Sequence, residues 1–219
     1  LVYGSESASN LRGRPIPEEN ALIGNATPDW TGSFSTGVTY KRLSARVLLD
    51  AKIGGDMFSA TYLKGTVWGT FKNSLPGRES YYIHNYVYGE DQTLGELQGG
   101  ILLSDAYTAD GLRNTYYIHP NNWYLADRDL IQELSFFDAS YVKLREVVLS
   151  YRFPETLLRG TFVRNASIGV FGRNLAILYR NTPRGLDPEA STNAGNGQGI
   201  EFGSLPPMGT FGVNLNVEF

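Results

Sequence analysis

The stretch GTFGVNLNVEF, Gly209 to Phe219, decides how the chain is read. Phe211, Val213, Leu215, Val217 and Phe219 occupy the odd positions, and Thr210, Gly212, Asn214, Asn216 and Glu218 the even ones. Successive side chains of a strand point to opposite faces, so this segment has one wholly apolar face and one polar or small face. A strand with lipid on one side and a hydrated lumen on the other needs that division, and a terminal aromatic suits its end.

Four earlier stretches repeat the pattern, with strands predicted at 31–40, 43–53, 141–153 and 166–174. Phe34, Thr36, Val38 and Tyr40 alternate with small polar residues. After a break at Lys41 and Arg42, the apolar set Leu43, Ala45, Val47, Leu49, Ala51 and Ile53 alternates with Ser44, Arg46, Asp50 and Lys52. Two such runs around so tight a turn predict a hairpin. In 141–153, Arg145, Val147, Leu149, Tyr151 and Phe153 are expected on one face, with Glu146, Val148, Ser150 and Arg152 on the other. Pro154 stops the strand because it supplies no ladder donor.

The segments between are of two kinds. Lys41–Arg42 and Glu155–Asn165 are short, whereas 1–30, 55–140 and 175–208 are long and rich in Gly, Asn, Pro or aromatics. Asp56 is a candidate cap for a short helix containing Phe58 and Tyr62, with Gly65 as its stop, although Thr66–Phe71 also reads as strand. Alternating short and long connections characterise bacterial barrels, with short turns periplasmic and long loops outside. Placing the C-terminus in the periplasm puts every long segment outside. The fold expected is all-β, an antiparallel transmembrane barrel wall. Five strands do not close such a barrel, so the chain is read as a C-terminal portion whose partner strands lie elsewhere.

Composition narrows the function classes. Nineteen basic and twenty-two acidic residues leave a net charge of −3, no basis for a nucleic-acid partner. With no cysteine there is neither a disulfide framework nor a thiolate metal site. No apolar run is long enough for a spanning helix, which says nothing against a barrel. His84 and His119 have no second ligand at metal spacing, and no nucleophile–base order or phosphate loop stands out. The chain is therefore not read as an enzyme, and no cofactor is expected.

At this point the residues resemble a family. IGNATPDWTGSFSTGVTYK (Ile23–Lys41) followed by GGD (Gly54–Asp56) is similar to the hairpin of the SusC/RagA-type TonB-dependent outer-membrane transporters of Bacteroidetes. FDASYVKLREVVLSYRFP (Phe137–Pro154), GRNL (Gly172–Leu175), GLDPE (Gly185–Glu189) and TFGVNLNVEF continue the likeness in order. Arg173 stands where that family often has Gln. The resemblance implies a twenty-two-stranded barrel in a Gram-negative outer membrane, with an N-terminal plug and a TonB box that this sequence does not contain. It further implies a SusD-like lipoprotein lid and TonB-driven import of oligosaccharides or peptides. Phe219, with Phe211, Val213, Leu215 and Val217, would belong to the C-terminal signal read by the barrel-assembly machinery.

Two other readings stay open. One is a soluble β-sandwich that binds carbohydrate, its alternate residues facing an internal core. The other is a barrel serving as a scaffold in a larger outer-membrane assembly. Tyr81, Tyr82, Trp123 and Tyr124 are candidate contacts for substrate or lid, against self-packing of the long loop. Asp187 and Glu189 suit either a calcium cage or a turn begun by Asp before Pro188 with Glu189 solvated, and the turn is preferred. Arg46, Asp50, Lys52, Glu146 and Arg152 are placed on the lumen face, and Tyr40, Tyr151, Phe153 and Phe219 in one interfacial aromatic girdle. The substrate is not readable.

Overall fold

Five long strands form one antiparallel sheet in a computed structural model that describes residues 1–4, 7–8, 11–82, 99–193 and 195–219. His84, Tyr86 and Tyr88 lie outside the described residues. In chain order the strands are β1 (Trp30–Tyr40), β2 (Leu43–Ile53), β3 (Asp56–Ser59), β4 (Ile101–Leu102), β5 (Tyr117–Ile118), β6 (Phe136–Asp138), β7 (Tyr141–Arg152), β8 (Asn165–Arg180), β9 (Ile200–Glu201) and β10 (Thr210–Glu218). The large sheet runs β1-β2-β7-β8-β10; β6-β3-β9 and β4-β5 form small sheets. The chain divides into two compact units, 1–23 with 59–136 and 24–58 with 137–219, and the large sheet belongs wholly to the second.

Alternation explains the register. Phe34 pairs with Leu49 and Val38 with Ala45, while Ser33 pairs with Asp50 and Gly37 with Arg46, so cross-strand neighbours match apolar with apolar. Lys41 takes a left-handed φ of 54° and reverses the chain between β1 and β2. At the far seam Leu215 pairs with Ile168 and Val213 with Val170. Phe211 lies opposite Gly172 and Phe171 opposite Gly212, each ring covering the glycine across from it.

Arg145 departs from the expected faces. Leu48 pairs with Glu146 and Leu49 with Leu144, which leaves Arg145 as an extra residue in β7. That bulge shifts the phase: Tyr141 and Lys143 before it share the polar face with Glu146, Val148 and Ser150 after it. Arg145 therefore joins the polar face instead of leading the apolar row.

The fourth strand also runs further than expected. It continues past Asn174 to Arg180, because Asn174 adopts φ of 51° and absorbs the irregularity opposite the bulge. Strict alternation fails there, although pairing with β7 resumes at Ala176 with Leu144. Between β7 and β8, Glu155–Leu158 forms a short helix within the expected turn.

The first unit corrects the helix expectation. Helix α1 (Ala60–Val67) is capped by Ser59, whose Oγ accepts from the Tyr62 N–H at 3.0 Å. Asp56 instead accepts from the Asn25 N–H at 2.9 Å. Gly65 lies inside the helix, where an added Cβ would stand 2.6 Å from Cε2 of Phe71, and the turn comes at Gly69 with φ of 74°. Elsewhere in this unit Arg14 Nε donates to Asp127 Oδ1 at 2.8 Å.

The apolar face of the large sheet is exposed: Phe34 is 62% accessible, Val213 67% and Phe211 81%. Among the described residues the second unit's buried apolar cluster is only Met57, Ala139 and Leu186, with Phe137 against it. A sandwich would bury such a face under a second sheet. Here the face has none among the described strands. At the short-turn end Tyr151 and Phe153 meet edge-on at 5.8 Å, and Phe162 stacks on Phe219 at 5.4 Å.

Candidate functional site

The polar face carries its densest chemistry at the long-loop end. There β2 contributes Asp50 and Lys52, and β7 contributes Tyr141, Lys143 and, through its bulge, Arg145. The loop after β8 supplies Asp187 and Glu189. Its turn is self-made: Asp187 Oδ1 accepts from the Glu189 N–H at 2.9 Å, and its carbonyl accepts from the Ala190 N–H at 3.0 Å. Asp187 thus begins the bend as expected before Pro188, but Glu189 turns inward instead of into solvent.

Lys143 Nζ donates to Asp187 Oδ1 and to Glu189 Oε2, both at 2.6 Å. Glu189 Oε1 accepts from Arg145 and, at 2.8 Å, from the Tyr141 hydroxyl. Arg145 also donates to Asp50 Oδ2 through Nε at 2.9 Å and Nη2 at 2.7 Å. Lys52 Nζ reaches the Pro188 carbonyl at 3.3 Å. Lys52, Lys143 and Arg145 thereby balance Asp50, Asp187 and Glu189. Burial pushes the Glu189 carboxyl up, but hydrogen bonds from Arg145, Lys143 and Tyr141 outweigh it and hold the group at about 2.

A second network lies nearer the middle of the sheet. Glu146 accepts from Arg46 at 2.7 Å and from Arg173 at 2.8 Å, and the Arg173 guanidinium sits 5.0 Å from the Phe171 ring centroid. Both arginines are solvent-exposed, so each pair contributes at most about 1 kcal/mol. A groove of about 350 Å³ between the networks is lined by Ser33, Leu48, Asp50, Arg145, Glu146 and Arg173, among others.

What this arrangement does chemically is fasten. The carboxylates of Asp187 and Glu189 converge on an ammonium and a guanidinium, and among the described residues no three His, Cys, Asp or Glu side chains gather as metal ligands. The cluster ties one loop to two strands of the large sheet. The run of polar residues at 141, 143 and 145, followed at once by Glu146, was the available signal for this site.

The aromatic candidates fall in the first unit. Tyr81 is 7% accessible, with its ring 4.3 Å from that of His119. Tyr124 is 3% accessible, donates to the Pro76 carbonyl at 3.0 Å and lies under the Arg78 guanidinium. Tyr82 is 58% accessible and Trp123 half-buried. Phe211, Val213, Leu215 and Val217 form one exposed row on β10, with Phe219 just beyond.

No protein-family model matches the chain. Over 209 residues, 92% of its length, it is 27% identical to TonB-dependent receptor P3 of Formosa agariphila and spans 17% of that protein. TonB-dependent receptor P26 of the same organism is 36% identical over 87 residues, covering 37% of this chain and 9% of that one. In fold the chain is similar to the RagAB peptide importer in its open-open state, with a TM-score of 0.52 at 20% identity over 89% of this chain and 17% of that chain.

Proposed function

We propose, from a chain that is a part-length homologue of TonB-dependent receptors and shares the fold of a SusC/RagA-type transporter, that it forms part of the barrel wall of an outer-membrane importer. The observation that carries this reading is the single exposed apolar face shared by five strands, with open edges at β1 and β10. Such a face is stable against lipid, and such edges need further strands. In the complete protein these five strands belong to a barrel of about twenty-two. The C-terminus lies in the periplasm and the long segments face outward. Its role is structural and non-enzymatic. Remaining polypeptide supplies the plug and TonB box, a SusD-like lipoprotein covers the outer loops, and TonB-transmitted energy drives entry of oligosaccharides or peptides.

The polar networks fit this role. One anchors the loop carrying Asp187 and Glu189 to the wall, and the other lines the lumen with Arg46, Glu146 and Arg173. The test is fractionation of cells expressing the full-length receptor. Recovery in the outer membrane, with gel mobility that changes on heating, supports the reading. A detergent-free soluble monomer overturns it.

A further inference from the structure

The upper half of β8 has an open edge. β10 pairs with it only from Asn165 to Arg173, whereas β7 follows it to Arg180. Pro206 and Pro207 precede β10 and have no N–H to donate, so β10 does not continue upward beside β8. No described strand therefore pairs with residues 175–180 on that side. A groove of about 640 Å³ runs there, lined by Ile177, Leu178, Tyr179, Arg180, Thr182 and Arg184. The four strand residues that line it span a second register shift between β7 and β8, where Val142 pairs with Tyr179 and Lys143 with Ile177, leaving Leu178 as an extra residue. An edge of this kind is a template for strand addition.

We propose that this edge receives an extended acidic segment from the remainder of the same polypeptide, added as a strand along residues 175–180. Charge selects the occupant. Arg180 and Arg184 line the groove and form no ion pair among the described residues, whereas Lys143, Arg145, Arg46 and Arg173 are all paired. The source follows from length: the chain spans only 17% of its relative, so most of the polypeptide lies outside this sequence. This inference rests on the barrel reading.

The test places the photo-cross-linker p-benzoylphenylalanine at Leu178 of the full-length receptor in cells, with a control probe at exposed Leu157 near the opposite end of β8. The expected result is one intrachain cross-link, mapped by mass spectrometry to a discrete segment rich in Asp and Glu. Adding Arg180→Glu and Arg184→Glu should lower its yield to that of the control. Hydrogen exchange on the unaltered receptor gives a second readout, with every amide from 175 to 180 slow and not only those bonded to β7. Cross-links to lipid alone or to a separate chain, no product above the control, or fast exchange along the outer edge would overturn the proposal. Fractionation of the same cells separates the two failures. A receptor in the outer membrane without the cross-link removes the edge inference alone, and a receptor absent from it removes the barrel reading and this inference together.

Discussion

Lys143 and Asp187 meet through a 2.6 Å contact between Nζ and Oδ1, with side chains only 5% and 8% accessible. The residues are 44 positions apart, so the contact joins the wall to a loop that could otherwise hang free. Removing one partner of a buried pair leaves the other charge uncompensated. Lys143→Met should therefore destabilise the loop by roughly 3–5 kcal/mol. Limited proteolysis between 181 and 193 in the folded receptor measures this, and wild-type resistance in the variant would refute the anchor.

The same loop should respond to acid through Glu189. Its folded carboxyl titrates at about 2, against an ordinary value of 4.5, so the folded state holds the proton more weakly than the unfolded one. The stabilisation is fully present above the unfolded value and is lost as pH falls from 4.5 towards 2. Hydrogen-exchange protection in the loop, taken relative to the intrinsic rate at each pH, should fall across that window. Glu189→Gln should already be loosened at neutral pH and show less acid dependence. A loop equally protected at both ends of the window would contradict this.

Alternation made β1, β2 and β10 legible because each keeps one phase throughout. It failed where the phase changes. The Arg145–Glu146 doublet marks a bulge that pattern counting passes over, and the left-handed Asn174 interrupts β8 without ending it. The contact of Lys143 with Glu189 spans 46 positions, and no local spacing encodes it. Ser59 rather than Asp56 caps α1 because the helix begins at Ala60, directly after Ser59, whereas Asp56 opens the preceding strand β3. Aromatic content alone did not separate Tyr81 and Tyr124, which are buried, from Tyr82, which is not.

Asn174 tests whether the β8 irregularity is built in. A left-handed backbone costs a residue with a Cβ about 1–2 kcal/mol, less for Asn than for a β-branched residue. Asn174→Val should lower stability by about that amount, whereas Asn174→Gly relieves the strain and loses only long contacts to Arg145 at 3.3 Å and Met208 at 3.4 Å. Denaturant unfolding of the reconstituted receptor should rank wild type and Gly close together with Val below. The reverse order would mean that residue 174 is extended in the assembled protein.

Leu215 and Asn216 provide the sharpest check of which face meets lipid. Leu215 is 64% accessible and pairs with Ile168 in the apolar row, while its neighbour Asn216 pairs with Ser167 on the polar side. In the proposed barrel an arginine at Leu215 must bring its charge into hydrocarbon, a cost of roughly 2–4 kcal/mol near the midplane. The same side chain at Asn216 enters a hydrated lumen. Local strand propensity is nearly common to the two sites, so the difference between them isolates the solvent each face meets. Leu215→Arg should reduce folded receptor in the outer membrane and lower its unfolding midpoint, and Asn216→Arg should leave both close to wild type. Equal losses would reverse or abolish the face assignment, and with it the argument that this sheet is a membrane wall.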